Sequence, residues 1–198
     1  MPQIILASQS EIRSQLLKNA NVEFSTAKAR VDEDTIKQSM IAQGFTPRDI
    51  ADALAEIKAQ KIGMKHLDAM VIGCDQILDF DGRILSKPET PEGAFNQLWA
   101  MRGKRHVLWS AVVIFHEGKP IWRHVGQVRV YMRAVTDGYL KSYVDRNWQD
   151  IQHCVGAYQI EKEGARLFSK VEGDYFNVMG LPLLEVLNFL AIRGDIDG

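Results

Sequence analysis

Residues 69–73 read Ala-Met-Val-Ile-Gly, an apolar run with no polar interruption, and Cys74-Asp75-Gln76 stands immediately after it. A run that is apolar at every position is buried on both faces of a sheet, not on one. Burial on both faces needs helices packed above and below the strand. The run therefore points to an α/β protein before any other segment is considered. It also sets Asp75 just beyond an interior strand, where α/β proteins place ligand-binding and catalytic groups.

The remaining segments fill in that class. Residues 3–7 predict a short buried strand, followed by a helix that Ser10 caps. Ile12 and Leu16, four apart, give that helix an apolar face. Residues 23–29 read as extended. Thr46-Pro47 predicts the start of a long helix, with the threonine as cap and the proline in the first turn. Its inner surface would be Ala51, Leu54, Ala55, Ile57, Lys58 and Ile62. Phe80-Asp81-Gly82-Arg83 signals a hairpin. Thr90-Pro91 opens another helix, ended before Gly103. Residues 105–115 and 120–132 are long strand candidates around His116-Glu117-Gly118. Thr136 caps a helix to about residue 145, residues 166–171 form a further strand, and Leu183, Val186, Leu187 and Leu190 stripe a last helix. Early alternation followed by a β-rich middle predicts a mixed sheet and not a simple doubly wound array. No repeat, low-complexity tract or linker divides the chain, so residues 1–198 read as one domain.

Charge excludes several classes of function. The formal net charge is −1, which argues against general affinity for nucleic acid or a membrane surface. Any anion site must then be built from a few local basic residues. Cys74 and Cys154 are the two cysteines, far apart and in no paired motif, which fits reduced thiols in a cytosol. No apolar run approaches the roughly 18 residues of a membrane span, and no signal segment precedes residue 3. The expectation is a soluble cytoplasmic protein.

Within these bounds the chemistry-bearing residues fall at a few places. Ser8 and Ser10 stand at a strand-to-helix junction with Arg13 in the first turn. A helix start offers unpaired amides and the positive end of the dipole. Small hydroxyl residues let an anion approach, and an arginine adds a planar fork of donors. A capped helix with a surface arginine explains the same residues. Asp32-Glu33-Asp34 is a run of carboxylates that either caps a helix, through Asp34, or holds Mg²⁺ or Mn²⁺ beside a phosphate. Lys58 shares a face with core alanines, so it either snorkels or points into a cleft. Lys61 and Lys65 lie toward solvent. Pro88 stiffens the chain beside Lys87. Cys74, without a neighbour to lower its pKa, reads as a small buried residue. The five histidines show no metal-ligand spacing.

The order of these signals resembles the Maf family. The stretches are Leu6-Ala7-Ser8-x-Ser10-x-x-Arg13, Asp32-Glu33, Ala55-x-x-Lys58-Ala59, Gly73-x-Asp75 and Ser86-Lys87-Pro88. Near the end follow Gly156-Ala157-Tyr158, Glu172-Gly173-Asp174-Tyr175 and Asn177-Val178-Met179-Gly180-Leu181-Pro182. The resemblance implies an elongated, mixed, twisted sheet flanked by helices, with two lobes and a central cleft, similar to inosine triphosphatases. It implies a divalent-metal-dependent nucleoside triphosphate pyrophosphatase, often a homodimer, with Asp75 as proton acceptor. Glu33 and Asp75 would hold the metal. Ser8, Ser10, Arg13, Lys58 and Lys87 would converge on the phosphates. Three positions separate the family's subgroups, and here they are Ile12, Gln76 and Glu161. The subgroup cleaving thymidine and uridine triphosphates carries arginine, threonine and glutamine there. The 7-methylguanosine triphosphate subgroup carries tryptophan, glutamine and glutamate. Gln76 and Glu161 match the second; Ile12 departs from both. The alternatives are a thymidine and uridine triphosphate pyrophosphatase and a non-catalytic nucleotide-binding regulator of cell division.

Overall fold

Seven strands make one mixed sheet in the computed structural model, which describes residues 2–197. Strands β1 (Ile4–Leu6), β2 (Ser25–Thr26), β3 (Met70–Phe80), β4 (Arg83–Leu85), β5 (Arg105–His116), β6 (Lys119–Met132) and β7 (Phe168–Glu172) are interspersed with seven α-helices and one 3₁₀ helix (Glu163–Leu167) among the described residues. The α-helices are α1 (Glu11–Asn19), α2 (Glu33–Ala42), α3 (Pro47–Gly63), α4 (Pro91–Met101), α5 (Asp137–Ile151), α6 (Tyr175–Val178) and α7 (Leu183–Arg193). The sheet order is β2-β1-β3-β5-β6-β7, with β4 on the far end of β3. β2, β1 and β3 run parallel and the other pairs antiparallel. Among the described residues no helix is long and apolar enough to cross a membrane.

β3 organises the molecule. It does not end at Gly73, as the apolar run suggests, but continues to Phe80. Asp75 is therefore mid-strand and not at a strand terminus. One edge of β3 pairs with β5 from Val71 to Asp79. The other edge pairs with β1 over Met70–Ile72 and with β4 over Leu78–Phe80. Between them, residues 73–77 face a gap in the sheet, and the site opens there.

The two faces of β3 meet different partners, as the two-residue period requires. Val71 and Ile77 pack with Ile50, Ala51, Leu54, Ala55 and Ala59 of α3. Gly73 lets α3 come close: a Cβ there would lie 2.2 Å from the Ala55 carbonyl oxygen and 2.6 Å from the Ala59 nitrogen. On the other face Met70, Ile72 and Cys74 join a core with α1 and α7, while Leu78 and Phe80 join a second core with α4 and α5. Gln76 falls at the seam between the two.

Local signals placed the helix starts. Ser10, Thr46, Thr90 and Thr136 each accept from a backbone amide three residues on. α2 is capped by Asp32 and not by Asp34. α5 runs on to Ile151, six residues past the expected end at 145, because Ile151 is buried in the α4–α5 core.

His106 in that core is 1% exposed, with Nε2 2.8 Å from the Tyr158 hydroxyl. Burial pushes its pKa down from 6.5 to about 4. Between these values the unfolded chain binds a proton that the folded chain refuses, so stability falls as pH drops through this window. The urea midpoint should decline from pH 6.5 toward 4, and His106→Gln should lose part of that decline. Equal declines in the two proteins would remove His106 as a cause.

Candidate active site

A cleft of about 810 Å³ opens at the gap beside β3, a size suited to a nucleotide. α1 gives it Ser10, Ile12 and Arg13; α2 gives Glu33 and Lys37; α3 gives Lys58; β3 gives Asp75 and Gln76. Lys87 follows β4, and Glu161 lies on the rim after α5. Ser8 lines the continuation of the same cleft. Of the ten residues that the resemblance singles out, nine line this cleft and Ser8 lines the cavity that adjoins it at Ser10, Arg13, Glu33, Lys58 and Lys87.

Lys58 is the centre of its charge. It is 9% exposed, with Nζ 2.6 Å from Asp75 Oδ1 and 2.8 Å from Glu33 Oε1. α3 brings it there because Gly73 and the small Ala55 and Ala59 close the helix onto the strand. One ammonium cannot neutralise two carboxylates, and the environments of the two decide which bears the excess. Burial favours the neutral form of Glu33, but Lys58, Lys87 and Lys37 outweigh it and hold the carboxyl below its usual range. Asp75 is 5% exposed; burial pushes its carboxyl up, and Glu33 adds to that against the pull of Lys58. Burial alone would lower Lys58, but Asp75 and Glu33 keep it firmly charged. The arrangement is a buried carboxylate with raised proton affinity beside a fixed cation.

Arg13 is more constrained than a surface arginine. Its Nε donates to the Gly180 carbonyl at 2.7 Å and its Nη1 to the Cys74 carbonyl at 3.2 Å. The Cys74 contact supplies a hydrogen bond that the missing strand neighbour does not. The Ser8 Oγ accepts from the Ser10 amide at 3.2 Å and from Arg13 Nη1 at 3.4 Å. The Ser10 Oγ accepts from the Arg13 amide. Neither hydroxyl hydrogen is taken by a described residue, so both remain to donate. Lys87 is exposed to the cleft and makes no ion pair with a described residue. Cys74 is fully buried with its thiol pushed up to about 11, and is no nucleophile.

Gln76 is held on the opposite face of β3 from Asp75. Its Nε2 donates to Ser110 Oγ at 3.0 Å, the Asn177 carbonyl at 2.9 Å and the Val178 carbonyl at 3.0 Å. No described residue donates to its Oε1. Lys37 was missed in the sequence. It bonds Asp34 at 2.7 Å and Ser86 at 3.4 Å, and so ties α2 to the loop that carries Lys87. The signal available was the three-residue spacing of Asp34 and Lys37.

No group of three or more metal-ligating side chains occurs among the described residues. Glu33 and Asp75 converge on one point, the Lys58 ammonium. Magnesium and manganese are often held by one or two carboxylates with substrate phosphates and water completing the shell. The pair fits that mode and does not fit an all-protein cage.

A family model described as "Maf-like protein" matches residues 3–192. The chain is 60% identical to a protein of Ruegeria pomeroyi named nucleoside triphosphate pyrophosphatase, over 98% of each chain. It is 45% identical to one of that name from Caulobacter vibrioides, over 98% of this chain and 96% of the other. A protein of Brucella abortus named 7-methyl-GTP pyrophosphatase is 45% identical over 98% of each chain. The match spans nearly the whole chain, from the strand before α1 through most of α7: this chain belongs to the Maf-like family.

Proposed function

We propose that this protein is a hydrolase that cleaves nucleoside triphosphates between the α and β phosphates, with preference for a guanine-type base, 7-methylguanine included. The observation that carries the reaction is the buried Asp75–Lys58 pair, joined by the half-exposed Glu33, facing the donor-rich start of α1 across one cleft. The names of the Ruegeria, Caulobacter and Brucella relatives support it.

In this reading a water oxygen forms a bond to the α-phosphorus, the bridging P–O bond breaks, and pyrophosphate leaves. Asp75 takes the water proton; its raised proton affinity suits that task. Arg13, Lys87 and the Ser8 and Ser10 hydroxyls meet the phosphate oxygens, and Lys58, fixed between Asp75 and Glu33, adds its positive charge to the same cleft. Phosphoryl transfer needs mainly positioning and neutralisation, so no protein nucleophile is required. Glu33 and Asp75 would hold a divalent cation, which would supply further neutralisation of the phosphates.

The base preference follows from acceptors. Backbone carbonyls only accept, so the Gln76 amide must turn its NH₂ toward Asn177 and Val178, leaving Oε1 for the cleft. Glu161 adds a carboxylate on the same cavity. Two acceptors complement guanine, whose edge carries N1–H and N2–H donors, better than uracil or thymine, whose edge has one N–H between two carbonyls. Ile12 offers aliphatic contact where a tryptophan would stack. A panel of nucleotides read by pyrophosphate release, with and without Mg²⁺ or Mn²⁺, tests the reading. Glu161→Gln should weaken guanine relative to uracil substrates by about fivefold, since a charge-assisted bond becomes a neutral one. A wild-type preference for thymidine or uridine triphosphate would sink the base assignment.

A further inference from the structure

We infer that Ser110 and Gly126 are positioning residues that set base choice through Gln76 without touching the base. The inference rests on the reading of Gln76 as the residue that meets the base edge. Gln76, Ser110 and Gly126 lie side by side across β3, β5 and β6. Neither Ser110 nor Gly126 lines the cleft.

The short α6 segment lies across this row like a strap. Ser110 is fully buried, and its hydroxyl donates to the Asn177 carbonyl at 2.6 Å. Its hydrogen being used there, its oxygen is left to accept from Gln76 Nε2 at 3.0 Å. One serine thus grips both the strap and the glutamine. Gly126 makes the room: a Cβ there would lie 1.9 Å from Asn177 Oδ1 and 2.5 Å from Asn177 Cγ. From the other side, Asp174 Oδ2 accepts from the Asn177 backbone amide at 2.9 Å and from Nδ2 at 2.8 Å. The segment then reaches Gly180, whose carbonyl takes Arg13 Nε at 2.7 Å. One strap therefore orients the base-side glutamine at one end and the phosphate-side arginine at the other.

Loosening the strap frees the Gln76 amide to turn and offer its NH₂ to the cleft. A donor there suits uracil carbonyls and repels the guanine N–H edge. A change behind the strap, outside the cleft, should therefore move base choice.

The test measures kcat and KM separately for GTP and UTP in wild type, Ser110→Ala, Gly126→Ala, Gln76→Ala and Val112→Ala. Val112 is fully buried on the same strand as Ser110 and takes no part in the row, so it controls for lost packing. In Ser110→Ala and Gly126→Ala the GTP-to-UTP ratio of kcat/KM should fall by about fivefold or more, chiefly through KM for GTP. Gln76→Ala should show a similar fall, and Val112→Ala should keep the wild-type ratio. A wild-type ratio in both Ser110→Ala and Gly126→Ala, beside a collapsed one in Gln76→Ala, overturns the inference alone. So does a fall in Val112→Ala equal to that in Ser110→Ala. An unchanged ratio in Gln76→Ala overturns the base-reading role and the inference with it.

Discussion

Asp75→Asn is expected to keep the fold and nucleotide binding while losing at least about a hundredfold in turnover, the lower end of what a general base contributes. Asparagine keeps the shape of the side chain and an oxygen that can accept from Lys58, now 2.6 Å away. It removes only the charge and the capacity to take a proton. Stability should hold or rise slightly, because burial already disfavours the charge at Asp75. Lys58 keeps its second partner, Glu33, at 2.8 Å. Pyrophosphate release, calorimetric nucleotide binding and a melting curve at one fixed Mn²⁺ concentration decide the matter. Near-normal turnover would remove Asp75 from the chemistry. The same experiment separates catalysis from a purely regulatory binder, which would show no turnover in wild type and unchanged binding in the variant.

Much of the architecture was legible because its signals are local. A threonine before a proline needs no tertiary context to start a helix, and Thr46 and Thr90 do so. The Asp81-Gly82 turn closes β3 onto β4 for the same reason. What failed was the length of β3. The polar residues Asp75 and Gln76 break the apolar pattern, so the strand seemed to stop at Gly73. They stay in the strand because each finds a distant partner: Lys58, 17 residues away, for Asp75, and Ser110, 34 residues away, for Gln76. Pairing at that separation leaves no trace in a local pattern. α2 was legible only as a helix that Asp34 could cap, for the opposite reason, since it buries no residue fully and so shows no clear apolar stripe.

The site residues were legible individually and not in their relations. Arg13 looked like a free donor at a helix start, yet two backbone carbonyls already hold it. Lys58 was legible as a cation turned into a cleft, and not in its pairing with two carboxylates at once. Both follow from the gap opposite residues 73–77, which is a property of sheet topology. The gap leaves the Cys74 carbonyl without a strand partner and leaves Asp75 open to the cleft on one side. The missing stretch of sheet is what makes room for a substrate beside a rigid strand.

Lys58→Met is expected to be the most destabilising of these changes. Methionine has a similar length and no charge, so it leaves Asp75 and Glu33 facing each other across an apolar side chain. Removing one partner from a buried ion pair typically costs about 3–5 kcal/mol. For a chain of this size that corresponds to a melting temperature lower by on the order of 10 °C. Two further measurements identify the cause. The double variant Lys58→Met/Asp75→Asn, with one carboxylate gone, should recover most of the loss, because the two sites touch and their effects cannot add. Millimolar Mn²⁺ should raise the melting temperature of Lys58→Met more than that of wild type, since a bound cation stabilises the folded state by mass action and the ammonium no longer competes. The Mn²⁺ arm reads metal binding by stability, independently of turnover. A Lys58→Met protein as stable as wild type would mean that Asp75 takes up a proton at little cost once the lysine is gone. An equal Mn²⁺ shift in both proteins would mean that the cation binds away from Glu33 and Asp75.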